Sequence, residues 1–502
     1  MSREAYPEPP PRAKAGVRSL SAAAERVLIA AVALLLLAPC FWQPHIIAGD
    51  LPSHLYNAWL AGQIEQGKVP GQGLSVAHPI TNVLADWIMT KLLYSVGPTA
   101  TERIVVGAAV EIFFWGAFFF VAAVARQRCW IMAPSLGMIT YGLIFHLGFL
   151  NFYLSTGFSL WLLALLWSPR QPWVWLAIPC ALLAQLANPL PLAWAVASLF
   201  YVYIVRRMPE SLRPLGFLGG ACILIAALTT MLSLLSTDWS LGILVGLDGI
   251  LGLAGAGQIW IYGAKYLIVV AGLLLIWFGL LLARLDRGGF MEDPAVHLWG
   301  FSLLAYIMMP HAILFPQYLF PLEFMPFRLS LFIAIFFCAM VAGGPHGRSL
   351  TRASSILAGA YFTMLYVDAK SLNQVEQEVT RLVLRLPPES RVVTALADSG
   401  SPRLNGLIHV GSSACLGRCW DYGNYEPPTG QFRIRVAGPN GIVVDNMQKV
   451  AEIESGKHVV TSQEAPLYNF CPSKTGGAPF ELRKLDAGQT TCLPGVAATN
   501  QF

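Results

Sequence analysis

Gly49-Asp50-Leu51-Pro52-Ser53-His54-Leu55-Tyr56-Asn57-Ala58-Trp59-Leu60 stands just past the first long apolar run of the chain, residues 27–43. A helix over 51–66 places Asp50, His54 and Asn57 at i, i+4 and i+7, three polar side chains on one face, with Leu51, Leu55, Ala58 and Trp59 on another. An aspartate at this point, at the outer end of a membrane-length run, suggests a catalytic base at a membrane surface. Asp50 followed by Pro52 is equally a helix N-cap with proline in the first turn, and both readings stay open on local sequence.

Working outward, the 502 residues are 55% hydrophobic and 12% charged, with a mean hydropathy of +0.57. That balance belongs to a multi-span membrane protein. The net charge of +5 is explained by where the basic residues lie, and calls for no nucleic-acid partner. Arg26 precedes the first apolar run. Arg126 and Arg128, Arg170, the Arg206, Arg207 and Arg213 group, Arg284 and Arg287, and Arg348 and Arg352 border later ones. All fall on the cytoplasmic side if the N-terminus is cytoplasmic and the spans are roughly 27–43, 103–125, 131–147, 152–168, 173–188, 191–205, 214–235, 264–283, 296–315, 327–343 and 353–368. The expected fold is therefore a polytopic α-helical membrane protein of about eleven transmembrane helices. Residues 1–25, with the run Glu8-Pro9-Pro10-Pro11, read as a disordered cytoplasmic tail, and 26–369 as the transmembrane domain.

An odd number of spans puts residues 370–502 outside. There the long apolar runs give way to Pro, Gly, Asn and Thr and to alternating segments such as Gln431-Phe432-Arg433-Ile434-Arg435-Val436, as in a small α+β or mostly β extracytoplasmic domain. Cys415, Cys419, Cys471 and Cys492 form an even set in an oxidising compartment, which favours disulfides over a zinc site. No Walker-type loop, dinucleotide fingerprint or metalloprotease helix occurs, so an ATP-driven pump has no support.

The external loop between the first two spans, 44–102, is long and rich in functional side chains, and carries the catalytic candidates. Within it, His78-Pro79-Ile80-Thr81-Asn82 leads into an amphipathic stretch through Trp87, Leu92 and Leu93, read as a helix on the outer membrane surface. Glu102-Arg103 heads the second span. Cations near external span ends, Lys91, Arg103, Lys265 and Arg328, are placed to meet a headgroup-level phosphate, or simply to snorkel among lipids. Arg328 follows the proline-broken loop 310–321 that carries His311, and either joins a carrier groove or pairs with Glu323. His146 and Asn151 sit at another external turn, and Asn57 and His78 add polar groups within the first loop. The segment Cys419-Trp420-Asp421-Tyr422-Gly423-Asn424-Tyr425-Glu426 concentrates aromatic and polar groups, as a sugar-binding face or a disulfide-held core loop.

In order and architecture the first 210 residues resemble the membrane-embedded glycosyltransferases of the GT-C class, which include protein O-mannosyltransferases and lipid A aminoarabinose transferases. Asp50 matches the acidic residue after span one, His78 to Tyr94 the surface helix, and Arg103 the arginine opening span two. A second acidic position is less clear, with Asp86, Glu102 and Asp238 as candidates. The resemblance implies transfer of a sugar from a polyprenyl-phosphate donor to an acceptor (glycan, lipid or protein) at the outer face of a bacterial-type inner membrane. Asp50 would be the base, with His54 orienting it or touching the sugar, and Asn57, His78, His146, Asn151, His311 and Glu323 would contact the sugar or acceptor. No cofactor is certain, and a divalent metal is possible in such a site. The competing readings are a secondary transporter or lipid-carrier flippase, and a noncatalytic assembly protein with a binding ectodomain.

Overall fold

The computed structural model describes residues 21–69, 73–167, 172–239, 246–316, 319, 321–343, 348–394, 396–398, 403–473, 480–493 and 495–497. Arg170 and part of the 310–321 loop, including Gln317, lie outside the described residues. The protein is mostly helical. Among the described residues, five helical segments are long and apolar enough to cross a membrane: Ala23–Cys40, Pro98–Ala125, Leu150–Trp167, Glu210–Ser233 and Tyr266–Leu285. Four shorter apolar helices, Val174–Ala187, Pro189–Val205, Pro294–Met308 and Met325–Val341, lie among them. The expected span 131–147 is broken into helices Ala133–Thr140 and Leu143–His146. The break falls at Gly142, where a Cβ would lie 2.7 Å from the Ile139 carbonyl oxygen and 2.9 Å from that of Gln258, an approach that only glycine permits. The expected span 353–368 is the first half of a 36-residue helix, Arg348–Val383, which continues unbroken past residue 369.

Two helices of the first loop lie on this bundle. Leu51–Glu65 follows Asp50 with proline in its first turn, as the polar periodicity predicts, and Leu84–Val96 packs against it with Ala85 and Met89 fully buried.

The C-terminal region is a small α+β unit. Its four-stranded sheet has the order Trp420–Asp421, Arg391–Thr394, Leu467–Pro472, Phe480–Leu485, parallel except for the last pair. Helices Val410–Cys415 and Met447–Glu454 accompany it. Disulfides join Cys415 to Cys419 and Cys471 to Cys492, with Cα atoms 4.6 and 5.4 Å apart. This unit docks on the first loop through backbone pairing, since strand Ile434–Val436 runs antiparallel to Leu74–Val76. Arg403 adds a second tether, reaching Asp248, the Gly257 carbonyl at 3.1 Å and the Trp260 ring at 4.6 Å.

Candidate active site

Two backbone hydrogen bonds set the position of Asp50. Gly49 N–H donates to the His146 carbonyl at 2.8 Å and Asp50 N–H to that of Leu147 at 3.1 Å. Gly148 makes the approach possible, at φ +79° and so close that a Cβ would fall 2.2 Å from the Asp50 nitrogen. The turn at 146–150 thus grips the start of the Leu51–Glu65 helix. Asp50 occupies the N-cap position, yet its side chain makes no capping hydrogen bond. Its carboxylate instead faces a cavity of about 730 Å³, within the usual size range of small-molecule sites.

That cavity lies between the helices and the C-terminal unit. From the helical side it is lined by Asp50, His54, Asn82, Phe149, Asn151, Phe152, Asn188, Glu323, Phe324 and Arg328, and from the C-terminal side by His409, Asp421, Asn424, Tyr425, Glu426, Phe432 and Glu454, among others.

His54 Nδ1 lies 2.9 Å from Asp86 Oδ1. Asn151 donates from Nδ2 to Asp86 Oδ2 at 2.8 Å, while its Oδ1 accepts the Ala85 N–H at 2.9 Å at the start of the surface helix. Burial opposes charge on the His54 imidazole, but the Asp86 carboxylate more than offsets it, pushing the group up to about 9, so that the ring carries a proton at neutral pH. Burial also works against the Asp86 charge, while His54, Asn151 and Arg433 hold its carboxyl below the usual carboxylate value. His54 is therefore a fixed cation one turn from Asp50, and Asp86, behind it, is the acidic partner.

Arg328 lies in the first turn of the Met325–Val341 helix, its guanidinium carbon 4.1 Å from the Phe149 ring centroid and 4.8 Å from that of Phe152. Its Nε donates to the Glu323 backbone carbonyl at 3.2 Å. Among the described residues no carboxylate lies within ion-pair distance of it, so the alternative of a simple Glu323–Arg328 side-chain pair is not what forms. The charges of Asp50 and Glu323 nevertheless reach it across the cavity. Burial raises the Glu323 carboxyl, with His311 opposing.

On the C-terminal wall, Glu426 accepts the Ser53 hydroxyl at 3.1 Å, and burial pushes it up to about 7 despite the nearby His54 charge. Asp421 accepts the Ser412 hydroxyl, its main-chain N–H donates to the Tyr56 phenol oxygen at 2.9 Å, and burial raises its carboxyl as well.

The other sequence candidates fall elsewhere. Asn57 is buried behind the wall, bonded to Ser53 and Asn424. His146 is buried with Nδ1 3.0 Å from the Ile47 carbonyl oxygen. His78 and Lys91 are exposed and do not line the cavity. Lys265 pairs with Asp368. His311 packs edge-on against Phe324, one residue removed from the cavity wall. Arg103 lies over Phe41 in a separate apolar groove between the first span and the head of the second. Glu102 accepts the Ile46 N–H at 3.0 Å, and Asp238 sits in a short strand paired with Ala312–Leu314. Among the described residues no three His, Cys, Asp or Glu side chains gather closely enough to hold a metal ion.

His409, Arg403, Asn405 and Glu454 escaped the sequence reading. His409, Arg403 and Asn405 belong to a segment with no periodic or motif signal, whereas Glu454 ends the helix Met447–Glu454, whose buried Val450 and Ile453 keep helical spacing, a signal for the helix but not for its place at the cavity. Compared with models of protein families, with characterised proteins and with solved structures, the chain matches none.

Proposed function

We propose that this chain is a membrane glycosyltransferase of about eleven spans, with a cytoplasmic N-terminus and an extracytoplasmic C-terminal domain, moving a sugar from a polyprenyl-phosphate donor to an acceptor at the outer face of a bacterial-type inner membrane. The observation that carries this reading is that Asp50 and Arg328, separated by 278 positions in sequence, line one 730 Å³ cavity between the apolar helices and the C-terminal unit. A prenyl chain needs apolar surface, a departing phosphate needs a cation, and an attacking hydroxyl needs a carboxylate.

In this mechanism the acceptor oxygen attacks the anomeric carbon. As the new C–O bond forms, Asp50 takes the hydroxyl proton, and the bond between the anomeric carbon and the phosphate oxygen breaks with its electron pair leaving on the phosphate. Arg328 meets that growing negative charge with a planar donor fork held over two aromatic rings. Protonated His54 and the amides of Asn151 and Asn82 offer hydrogen bonds to sugar hydroxyls. Asp50 then loses its proton to solvent.

The test offers purified protein a panel of short-chain polyprenyl-phosphate hexoses and pentoses, with water as the surrogate acceptor hydroxyl, and follows conversion of phosphodiester to polyprenyl phosphate by ³¹P NMR. Asp50→Asn keeps the side chain's size and shape but removes the base, so turnover is expected to fall by about two to four orders of magnitude. Turnover near the unmodified rate in a folded Asp50→Asn protein would remove the catalytic assignment and put the flippase reading ahead.

A further inference from the structure

We infer that His409 of the C-terminal domain is the positioning residue of the Asp50 carboxylate, so that the catalytic centre is completed only when that domain is docked. The inference rests on the reading of Asp50 as the base. His409 Nε2 lies 3.4 Å from Asp50 Oδ1, and among the described residues no other Lys, Arg or His nitrogen lies within ion-pair distance of that carboxylate. Both side chains keep contact with the cavity, at 15% and 26% exposure, so the pair is accessible to a substrate and is not sealed in a core.

The imidazole is held from two directions. Its ring stacks on Tyr425, with centroids 5.3 Å apart and planes at 19°, and Tyr425 is braced edge-on by Phe432 at 5.8 Å. Its backbone opens the Val410–Cys415 helix, whose far end is tied by the Cys415–Cys419 disulfide. The Asp50 main chain is pinned by its bond to the Leu147 carbonyl, but its side chain makes no cap bond. A lone carboxylate rotates about its last bond. A donor fixed against one oxygen leaves the other presented in a single direction, toward the hydroxyl whose proton it must take. The 3.4 Å separation is longer than a formed hydrogen bond, as catalytic contacts often are before substrate tightens them. Misplacement of a reacting group by about 1 Å costs on the order of 100-fold in rate.

Full-length His409→Leu, His409→Gln and His409→Asn proteins test this with the same polyprenyl-phosphate panel, and with undecaprenyl phosphate as the binding probe. Glutamine places its amide N–H near the Nε2 position, whereas asparagine places it near Nδ1, away from Asp50. His409→Leu is expected to lose about 10- to 100-fold in kcat, with KM, undecaprenyl phosphate affinity and melting temperature unchanged. His409→Gln should recover to within about threefold of the unmodified rate, and His409→Asn should not. Combining His409→Leu with Asp50→Asn should add no further loss, because the two act as one unit. Should His409→Leu fail to fold, the glutamine and asparagine proteins still decide, and equal rates in those two would overturn the assignment. Normal turnover in His409→Leu beside a dead Asp50→Asn overturns the positioning role alone. Normal turnover in Asp50→Asn overturns the base and, with it, any need to position it.

Discussion

Replacing Arg328 separates the donor phosphate from everything else the cavity does. In the folded protein the guanidinium makes two ring contacts, at 4.1 and 4.8 Å, and one hydrogen bond to the Glu323 carbonyl. Two partly desolvated cation–π contacts of about 1 kcal/mol each and one hydrogen bond of about 1 kcal/mol put the stability cost of Arg328→Ala near 3 kcal/mol. Arg328→Lys keeps a charge over the rings and costs less. On the ligand side, a charge-assisted contact to a phosphate contributes about 1.5–3 kcal/mol. At about 1.4 kcal/mol per tenfold, Arg328→Ala should weaken binding of undecaprenyl phosphate by about 10- to 100-fold. The lysine variant, which retains the charge but loses the fork, should weaken it by about 3- to 10-fold. Titration calorimetry in detergent gives these affinities, with undecaprenol as the control for the prenyl chain alone. The alcohol should bind all three proteins alike. If both variants, still folded, bound undecaprenyl phosphate as tightly as the unmodified protein, Arg328 would be only a ring-stacked element of the interface and the phosphate would have to sit elsewhere.

Two further outcomes follow from the geometry. The His54–Asp86 pair makes stability depend on pH: because the folded protein raises His54 from near 6.5 to about 9, its contribution is complete below about 6.5 and disappears as pH climbs through 9. The melting temperature should drop over that window, and Asp86→Asn, which removes the charge that raises His54, should flatten the drop; an equal fall in both proteins would disconnect it from this pair. Non-reducing peptide maps should recover Cys415 linked to Cys419 and Cys471 linked to Cys492, with Cys40, Cys129, Cys180, Cys222 and Cys338 free, and all four C-terminal cysteines found as thiols after native-state alkylation would count against the extracytoplasmic placement.

How much of this was legible in the sequence depends on whether the signal is local. The Leu51–Glu65 helix, the Leu84–Val96 surface helix and the long apolar helices were readable because periodicity and run length are carried by neighbouring residues. The break in the third apolar run was not, because hydropathy cannot report a close approach to Gln258 more than a hundred residues away. Asp50, Asn151 and Arg328 were singled out for their place beside a span end, and His54 and Glu323 as neighbours of Asp50 and Arg328, and all five line one cavity. Lys265 and Arg103 satisfied the same rule and lie elsewhere. A span end fixes depth in the membrane but not direction around the bundle, and direction is set by packing.

The opposite wall shows the harder case. Asp421 and Glu426 belong to a run with a recognisable aromatic and polar character, but Glu426 meets its partner Ser53 across 373 positions of sequence, and Asn424 meets Asn57 across 367. No local period records such pairings. The same distinction bears on the capping reading of Asp50. Cap position and cap bond are separable: the Leu51–Glu65 helix begins where a cap residue should stand, with Pro52 pre-shaping its first turn, yet the chain path into it is fixed by the backbone bonds from Gly49 and Asp50 to the 146–147 carbonyls. With the entry to the helix set by those bonds and by the bare Gly148, the carboxylate is released from local duty and turned to the cavity, where the side chain within reach is an imidazole supplied by the C-terminal unit.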